Sequence, residues 1–422
     1  MKSLTDKVDE LFAEWDKPDS PGCAIGIIQD GKLIYTRGYG MSDLENDIPL
    51  TSKSVFCIAS TSKQFTAASI VLLAQRGDLS LDDDLREYVP EVPLYECPIT
   101  IRHLIHHTSG VRDYLDLFSL AGRSQEENFG NEDAIEILSR QKALNFSPGE
   151  RHLYSNSGYI LLAEIVGRVS GKSLREFAEE AIFKPLRMHD TFFDDDLTPC
   201  KDRVISYRPG EDGGFQSCAK NLRVVGDGGL LTTVEDLYRW DQGFHGGKLF
   251  DSEFISQMLT CGKLKSGEQL KYACGLVVGE YRGLKTIHHP GSMLGFLAQM
   301  IHFPTQHFTV ICLCNLSGMN PPMSTTRIAH MYLLDDFELT EFEGEYYSDE
   351  LRSACSLVIE DRGIFLKHQN APENPLRSVE RDTFRVGNRE FVFGRNGQGE
   401  VTGFTLSTER AKGIRFVKKG CG

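Results

Sequence analysis

The sequence predicts an α+β protein: an antiparallel sheet flanked by helices and carrying a helical insert, followed by a small C-terminal antiparallel β-barrel. Three observations predict it. Short β-rich runs lie at both ends of the first 335 residues, PGCAIGIIQDGKLIYTRGYG at one end and YACGLVVGEY, LKTIHHPG, FLAQMIHF and FTVICLCNL at the other. Helical patterns dominate between them, roughly from residue 100 to 245. Past Leu334-Asp335-Asp336 no helical pattern appears; EGEYYS, CSLVIEDRGIFLKH, REFVFGRNGQGEVTGFTL and GIRFVKKG alternate with tight turns such as Asp361-Arg362-Gly363. A chain of 422 residues exceeds one ordinary core, so two domains are expected, 1–335 and 336–422.

The elements follow in order. Leu4, Val8, Leu11, Phe12 and Trp15 share one face of an N-terminal helix, while Asp6, Lys7, Asp9, Glu10 and Glu14 break up any signal-peptide core. Asp30-Gly31 between two apolar runs is a strong hairpin signal. Val55 to Ala59 reads as extended, and the next residues open an apolar helix that ends near Gly77. ITIRHLIHHTSG reads as a short helix stopped by Gly110. In SGKSLREFAEEAIFKPL, Ser173 and Glu176 form a capping box and Pro185 lies beyond the end; Thr232 and Glu235 repeat the box in GDGGLLTTVEDLYRW. A last helix spans about Ser324 to Leu334.

Composition excludes some partners. The chain is 40% apolar and 25% charged with a net charge of -14, which argues against nucleic acid or an anionic membrane surface as partner. Apolar runs such as IVLLA are far too short to span a bilayer. Eleven cysteines without a CxxC fit a reduced, cytoplasmic compartment, with Cys312 and Cys314 as buried thiols on one strand face.

The chemistry is carried by three clusters. Ser-x-x-Lys occurs three times, as Ser60/Lys63, Ser139/Lys142 and Ser217/Lys220. Ser139 falls late in a solvated helix and Ser217 in an irregular glycine-rich stretch. Ser60 alone stands at the mouth of an apolar helix, where positions i and i+3 share a face and the free N–H groups favour a developing oxyanion. A serine hydroxyl needs such a neighbouring base to become a nucleophile. The plainer reading, a polar helix cap with a snorkelling lysine, is about equally good for this segment alone. Tyr154-Ser155-Asn156 precedes another apolar helix; a tyrosine near cations can accept a proton, an asparagine amide can hold a carbonyl, and a simple helix cap is the competing reading. His289-Pro290-Gly291 ends a strand, where Gly291 permits close approach and Ser292 supplies the N–H that proline lacks. His103 and His107 have i, i+4 spacing but no third ligand, and Arg112, Asp113 and Tyr114 read as a solvated loop.

Taken together and in this order, Ser60-x-x-Lys63, Tyr154-x-Asn156 and His289-x-Gly291 resemble the penicillin-recognising serine hydrolases, in the branch of class C β-lactamases, D-aminopeptidases, DD-carboxypeptidases and related esterases. HLIHHTSG, FSPGERHLYSNSGY and GDGGLLTTVEDLYRW are similar to secondary signatures of that branch, and the C-terminal strands resemble its lipocalin-like appendage. The resemblance implies that Ser60 attacks an amide or ester carbonyl, and that Lys63 and Tyr154 form the base pair around it. It also implies an oxyanion hole from the N–H groups of Ser60 and Ser292, with Asn156 orienting the acyl side, and neither metal nor cofactor. His289 stands where many relatives carry the lysine of Lys-Thr-Gly, which weakens the case for substrates with a free carboxylate. A small-molecule or short-peptide substrate is expected, a D-amino-acid amide or peptide first, an ester next and a β-lactam third. A non-catalytic scaffold is the reading from another class. The sequence leaves a homo-oligomer open as its protein partner.

Overall fold

The Asp30-Gly31 hairpin forms with both residues left-handed, φ 48° and 72°, which matches the twist of the strands it joins. It connects Cys23–Gln29 to Lys32–Tyr39, the last two strands of a six-stranded sheet ordered Val277–Tyr281, Leu284–Met293, Phe296–Phe303, Phe308–Cys314, Cys23–Gln29, Lys32–Tyr39. The two ends of the first part thus build one sheet, as the strand runs require. The computed structural model describes residues 3–124, 127–195, 200–210, 213–218, 223–246, 249–334, 339–360, 363–368, 374–380 and 382–419. Lys220, the turn residues Asp361 and Arg362, and the expected domain boundary at 335/336 lie outside them.

The chain forms two compact units, Met1–Gly279 with Thr286–Tyr332, and Glu280–Lys285 with Leu333–Gly422. In the first, Ala24, Ile28, Ala298, Met300, Ile311 and Leu313 on one sheet face join a core that includes Phe65, Ala67, Ala68, Ile70 and Val71. Those last five belong to the helix Lys63–Arg76, closed by Gly77 in the left-handed conformation at φ 77°. The helix Asn156–Ser170 packs against it. Alternate sheet residues Cys23, Ile25, Ile27, Val310, Cys312 and Cys314 face the other way and are also buried.

Several boundaries differ from expectation, each for a local reason. The extended run before Ser60 is only Phe56–Cys57, because Ala59 turns left-handed at φ 48°. The helix in ITIRHLIHHTSG is Ile101–Ile105 and stops at His107, left-handed at φ 55°, three residues before Gly110. Ser173 and Glu176 do form a capping box, but Pro185 sits inside the last helical turn. A π-helical stretch, Glu179–Phe183, precedes that turn and its wide spacing tolerates the missing N–H. The cap of the helix Val234–Gly246 is Thr233, whose Oγ1 accepts from Asp236 N. Thr232 is spent in the strand Leu230–Thr232, where its hydroxyl meets that of Thr191. The last helix before the C-terminal strands is Pro321–Leu333.

The second unit is a nine-stranded antiparallel sheet curled into a half-barrel, with Asn374–Pro375 and Arg377–Glu380 as its edges. Leu376 alone separates the edges in sequence, so the sheet must curl to bring them together. Phe342, Tyr346, Phe384, Phe391, Phe393, Phe404 and Phe416 fill its interior. Phe404 stacks on Phe416 at 4.7 Å and meets Tyr346 at 5.0 Å. Phe404→Ala is expected to cost about 3–5 kcal/mol through cavity formation; a urea-unfolding change below about 1 kcal/mol would show that the ring cluster does not hold this unit.

Candidate active site

The turn that carries Ser60 is held from every side. Ala59–Ser62 forms a single 3₁₀ turn that runs into the helix Lys63–Arg76. Ile58 N donates to Leu230 O at 3.1 Å, Thr61 Oγ1 donates to His289 O at 3.0 Å, and Ser62 Oγ accepts from Leu230 N at 3.2 Å. Gln64 ties the next turn down, donating to Thr61 O and accepting from the Trp240 indole N–H. Gly291 lies against this turn so closely that a Cβ there would stand 2.2 Å from Ile58 O. Gly275, left-handed at φ 68°, would place a Cβ 2.5 Å from Gln64 N.

Lys63 is fully buried, with 0% exposure. Its Nζ has three hydrogen-bond partners: Ser60 Oγ at 3.1 Å, Asn156 Oδ1 at 2.9 Å and the Asp227 carbonyl at 2.6 Å. Two of these can only accept, whereas a serine hydroxyl can accept or donate. The same geometry therefore satisfies a charged ammonium with three donors, or a neutral amine with two donors and a lone pair facing the serine O–H. The Tyr154 ring centroid lies 4.9 Å from Nζ and that of Tyr159 5.5 Å, so two aromatic faces complete the lysine's surroundings.

The partners are themselves positioned. Asp113 Oδ2 accepts from Asn156 N at 2.6 Å and its Oδ1 accepts from Leu115 N. Ser157 Oγ donates to Arg112 O and accepts from Tyr114 N, so it is a strut and not the cap of its helix. The Tyr114 hydroxyl donates to Asp227 Oδ2 at 3.0 Å, and burial pushes the Asp227 carboxyl up despite the nearby Lys63 charge. The Arg112–Tyr114 segment is thus no solvated loop: Tyr114 is buried, and its two neighbours are part-buried in the floor of the site.

A ring cluster flanks Tyr154, which remains 38% exposed. His107 packs against it at a tilt, ring centroids 4.3 Å apart, and meets Tyr272 edge-on at 4.5 Å. His107 Nδ1 accepts from Ser155 N, and His103 Nδ1 accepts from Thr100 N, so each spaced histidine serves a backbone amide. His289 is buried; its Nδ1 lies 2.7 Å from Pro290 O and its Nε2 2.9 Å from the Tyr272 hydroxyl. A carbonyl only accepts, so Nδ1 carries the proton and Nε2 accepts from the tyrosine. Burial holds His289 down to about 3, reinforced by the Lys63 charge, and pulls His106 to about 4 and His107 well below its usual value. His289 is therefore a neutral group with both nitrogens engaged.

The fold thus brings Ser60, Lys63, Tyr154, Asn156, His289 and Gly291 to one place, with Ser292 following on the same strand, its side chain exposed. The decoy Ser139 is part-buried and spends its hydroxyl on Glu136 O. Asp227 and Tyr272 belong to the site without any signal in the sequence, and His107, Asp113 and Tyr114 belong to it although their spacing alone gives them no role.

The family profile described as Beta-lactamase matches residues 8–333. The chain belongs to the beta-lactamase family. A D-aminopeptidase of Cereibacter sphaeroides is 28% identical over 297 residues, 70% of this chain and 57% of that protein. This chain therefore spans little more than half the length of that relative. The octameric penicillin-binding protein homologue from Pyrococcus abyssi is 26% identical, with a TM-score of 0.69 and coverage of 98% of this chain and 99% of its own. The penicillin-binding protein from Bacillus halodurans is 25% identical with a TM-score of 0.66, over 79% of this chain and 100% of its own.

Two outcomes test this geometry. Gly291→Ala should displace the Ser60 turn and lower any Ser60-dependent activity by roughly a hundredfold, the cost of about 1 Å of misplacement; an unchanged rate would show that the close approach is not required. The buried histidines charge near 6.5 when unfolded and stay neutral when folded, so unfolding takes up protons and stability falls as pH drops below that value. The loss approaches about 1.4 kcal/mol per pH unit for each histidine. Urea midpoints should hold above about pH 6.5 and decline from there to about 4.5; a flat profile would contradict the neutral assignment.

Proposed function

We propose that the chain is a serine hydrolase that works through an acyl-enzyme on small amides and peptides, with D-configured amino-acid amides or peptides preferred. The observation that carries this reading is the 3.1 Å contact between the fully buried Lys63 Nζ and the part-exposed Ser60 Oγ. The serine proton passes to the Lys63–Tyr154 pair as Oγ bonds to the carbonyl carbon, and the N–H groups of Ser60 and Ser292 hold the resulting oxyanion. The bond to the leaving group then breaks, and Tyr154 returns a proton to the departing nitrogen. Water, deprotonated by the same pair, attacks the ester and frees Ser60. Asn156 both fixes Lys63 and lies where it can orient the acyl group. The 3.1 Å contact supports a role for Lys63 as base, since its neutral amine can take the serine proton without moving.

His289 favours substrates of a particular kind. With both nitrogens engaged and no charge, it offers no cation to a substrate carboxylate, which favours amides and then esters over β-lactams. The two compact units correspond in this proposal to a hydrolase domain and a lipocalin-like appendage. A cytoplasmic setting fits the ten described cysteines, all free thiols. The Pyrococcus abyssi homologue is octameric, and a homo-oligomer is the parallel expectation for this chain.

A panel of D- and L-aminoacyl p-nitroanilides, short-chain p-nitrophenyl esters and nitrocefin tests the proposal. D-Anilides should turn over fastest, and Ser60→Ala should lose roughly a thousandfold or more. Lys63→Met and Tyr154→Phe should each lose about 10²–10⁴-fold. Fast nitrocefin turnover with inert D-anilides would reverse the substrate order, and activity surviving in Ser60→Ala would remove the serine mechanism.

A further inference from the structure

On the sheet face turned away from the Ser60 helix, three thiols converge. Cys23 pairs directly with Cys314 across neighbouring strands, and Cys312 lies two residues earlier on the same strand, hence on the same face. Their sulfurs all lie within 4.8 Å of one another, with Cys312 and Cys314 at 3.5 Å. All three are buried, at 0 to 1% exposure. A fourth polar group shares this face: Gln299 stands opposite Cys312 in the register, is only 2% exposed, and its Oε1 has no hydrogen-bond partner among the described residues. A buried carbonyl oxygen left unpaired costs about 1–3 kcal/mol.

We propose that Cys23, Cys312 and Cys314 form a closed site for a thiophilic d¹⁰ cation, zinc(II) or copper(I), with Gln299 Oε1 as the oxygen donor beside it. Metal–sulfur bonds of about 2.3 Å place the sulfurs of such a site roughly 3.7–4.0 Å apart, which the observed spacing brackets. Soft thiolates select these ions over magnesium or calcium, and no carboxylate belongs to the cluster. Charge decides the donor count. Zinc(II) with three thiolates leaves a net charge of −1 and releases three protons; copper(I) with two thiolates and one retained thiol leaves the same −1 and releases two. Either is far less costly to bury than a higher charge. Packing alone explains the burial but not the orphaned amide oxygen. Cys23 also faces Tyr39 on its other side, and that ring packs on Phe12 of the N-terminal helix Leu4–Phe12. The cover makes the site one that loads during folding and exchanges slowly.

The test is metal content of the full chain after expression with added zinc, copper or cobalt(II), followed by an EDTA wash. One equivalent should stay bound, and the cobalt form should show a sulfur-to-cobalt charge-transfer band and the visible bands of tetrahedral thiolate coordination. The zinc and copper arms identify which ion the site prefers. Cys312→Ser and Cys23→Ala should each retain at least tenfold less metal, with folding checked by circular dichroism. Replacing the part-exposed Cys97, Cys200 and Cys261 by serine together should leave the equivalent in place. Folded wild-type chain with only trace metal under all three supplements would overturn the proposal, as would undiminished metal in both cluster variants. If neither cluster variant folds, the wild-type cobalt spectrum decides alone: thiolate bands support the site and their absence removes it.

Discussion

A lysine side chain without solvent is the constraint on which the first unit depends. Lys63 is wholly buried, and a stranded ammonium would cost several kcal/mol. Its three partners come from residues 60, 156 and 227, so three distant segments must arrive together. Each has its own anchor. Gly291 and Thr61 hold the Ser60 turn against the sheet, the Asp113 carboxylate holds the Asn156 amide, and the Tyr114 hydroxyl holds Asp227. The carbonyl of Asp227 reaches the lysine because Gly226, at φ 117°, lies where a Cβ would come 2.5 Å from Tyr159 O.

The histidine rings near that lysine carry no charge. His107 and His289 are both held neutral by burial, and the Lys63 charge adds to the effect. The histidines therefore do not compete with the lysine for a proton, and they add no positive field toward substrate. Tyr272 links this arrangement by donating to His289 while packing edge-on against His107. Neutral rings pressed around the buried amine shield it from water, which strengthens the hydrogen bonds it makes.

Much of this was legible in the sequence because it repeats local patterns. An i, i+3 pair at a helix mouth, a Tyr-x-Asn before a helix and a His-x-Gly ending a strand each put their residues in a definable place. What stayed hidden depends on long-range contacts. Asp227 contributes a backbone carbonyl, which no residue-type pattern announces. Asp113 looks like any loop carboxylate until the amides of Asn156 and Leu115 consume it. Thr232 and Thr233 are equal cap candidates until strand pairing opposite Phe56 removes the first. In sequence His107 is half of a spaced pair, whereas its left-handed backbone accompanies a ring packed against Tyr154 and Tyr272. The curled C-terminal sheet was visible from strand texture alone, since alternating aromatics and tight turns leave few other folds.

The central claim is that buried Lys63 activates Ser60. Intact-mass analysis after a fluorophosphonate, with peptide mapping and a time course, tests it most directly. The account predicts one adduct per chain, located on Ser60, forming at least about a hundredfold more slowly in folded Lys63→Met. An adduct on another residue, or an equal labelling rate in Lys63→Met, would contradict it.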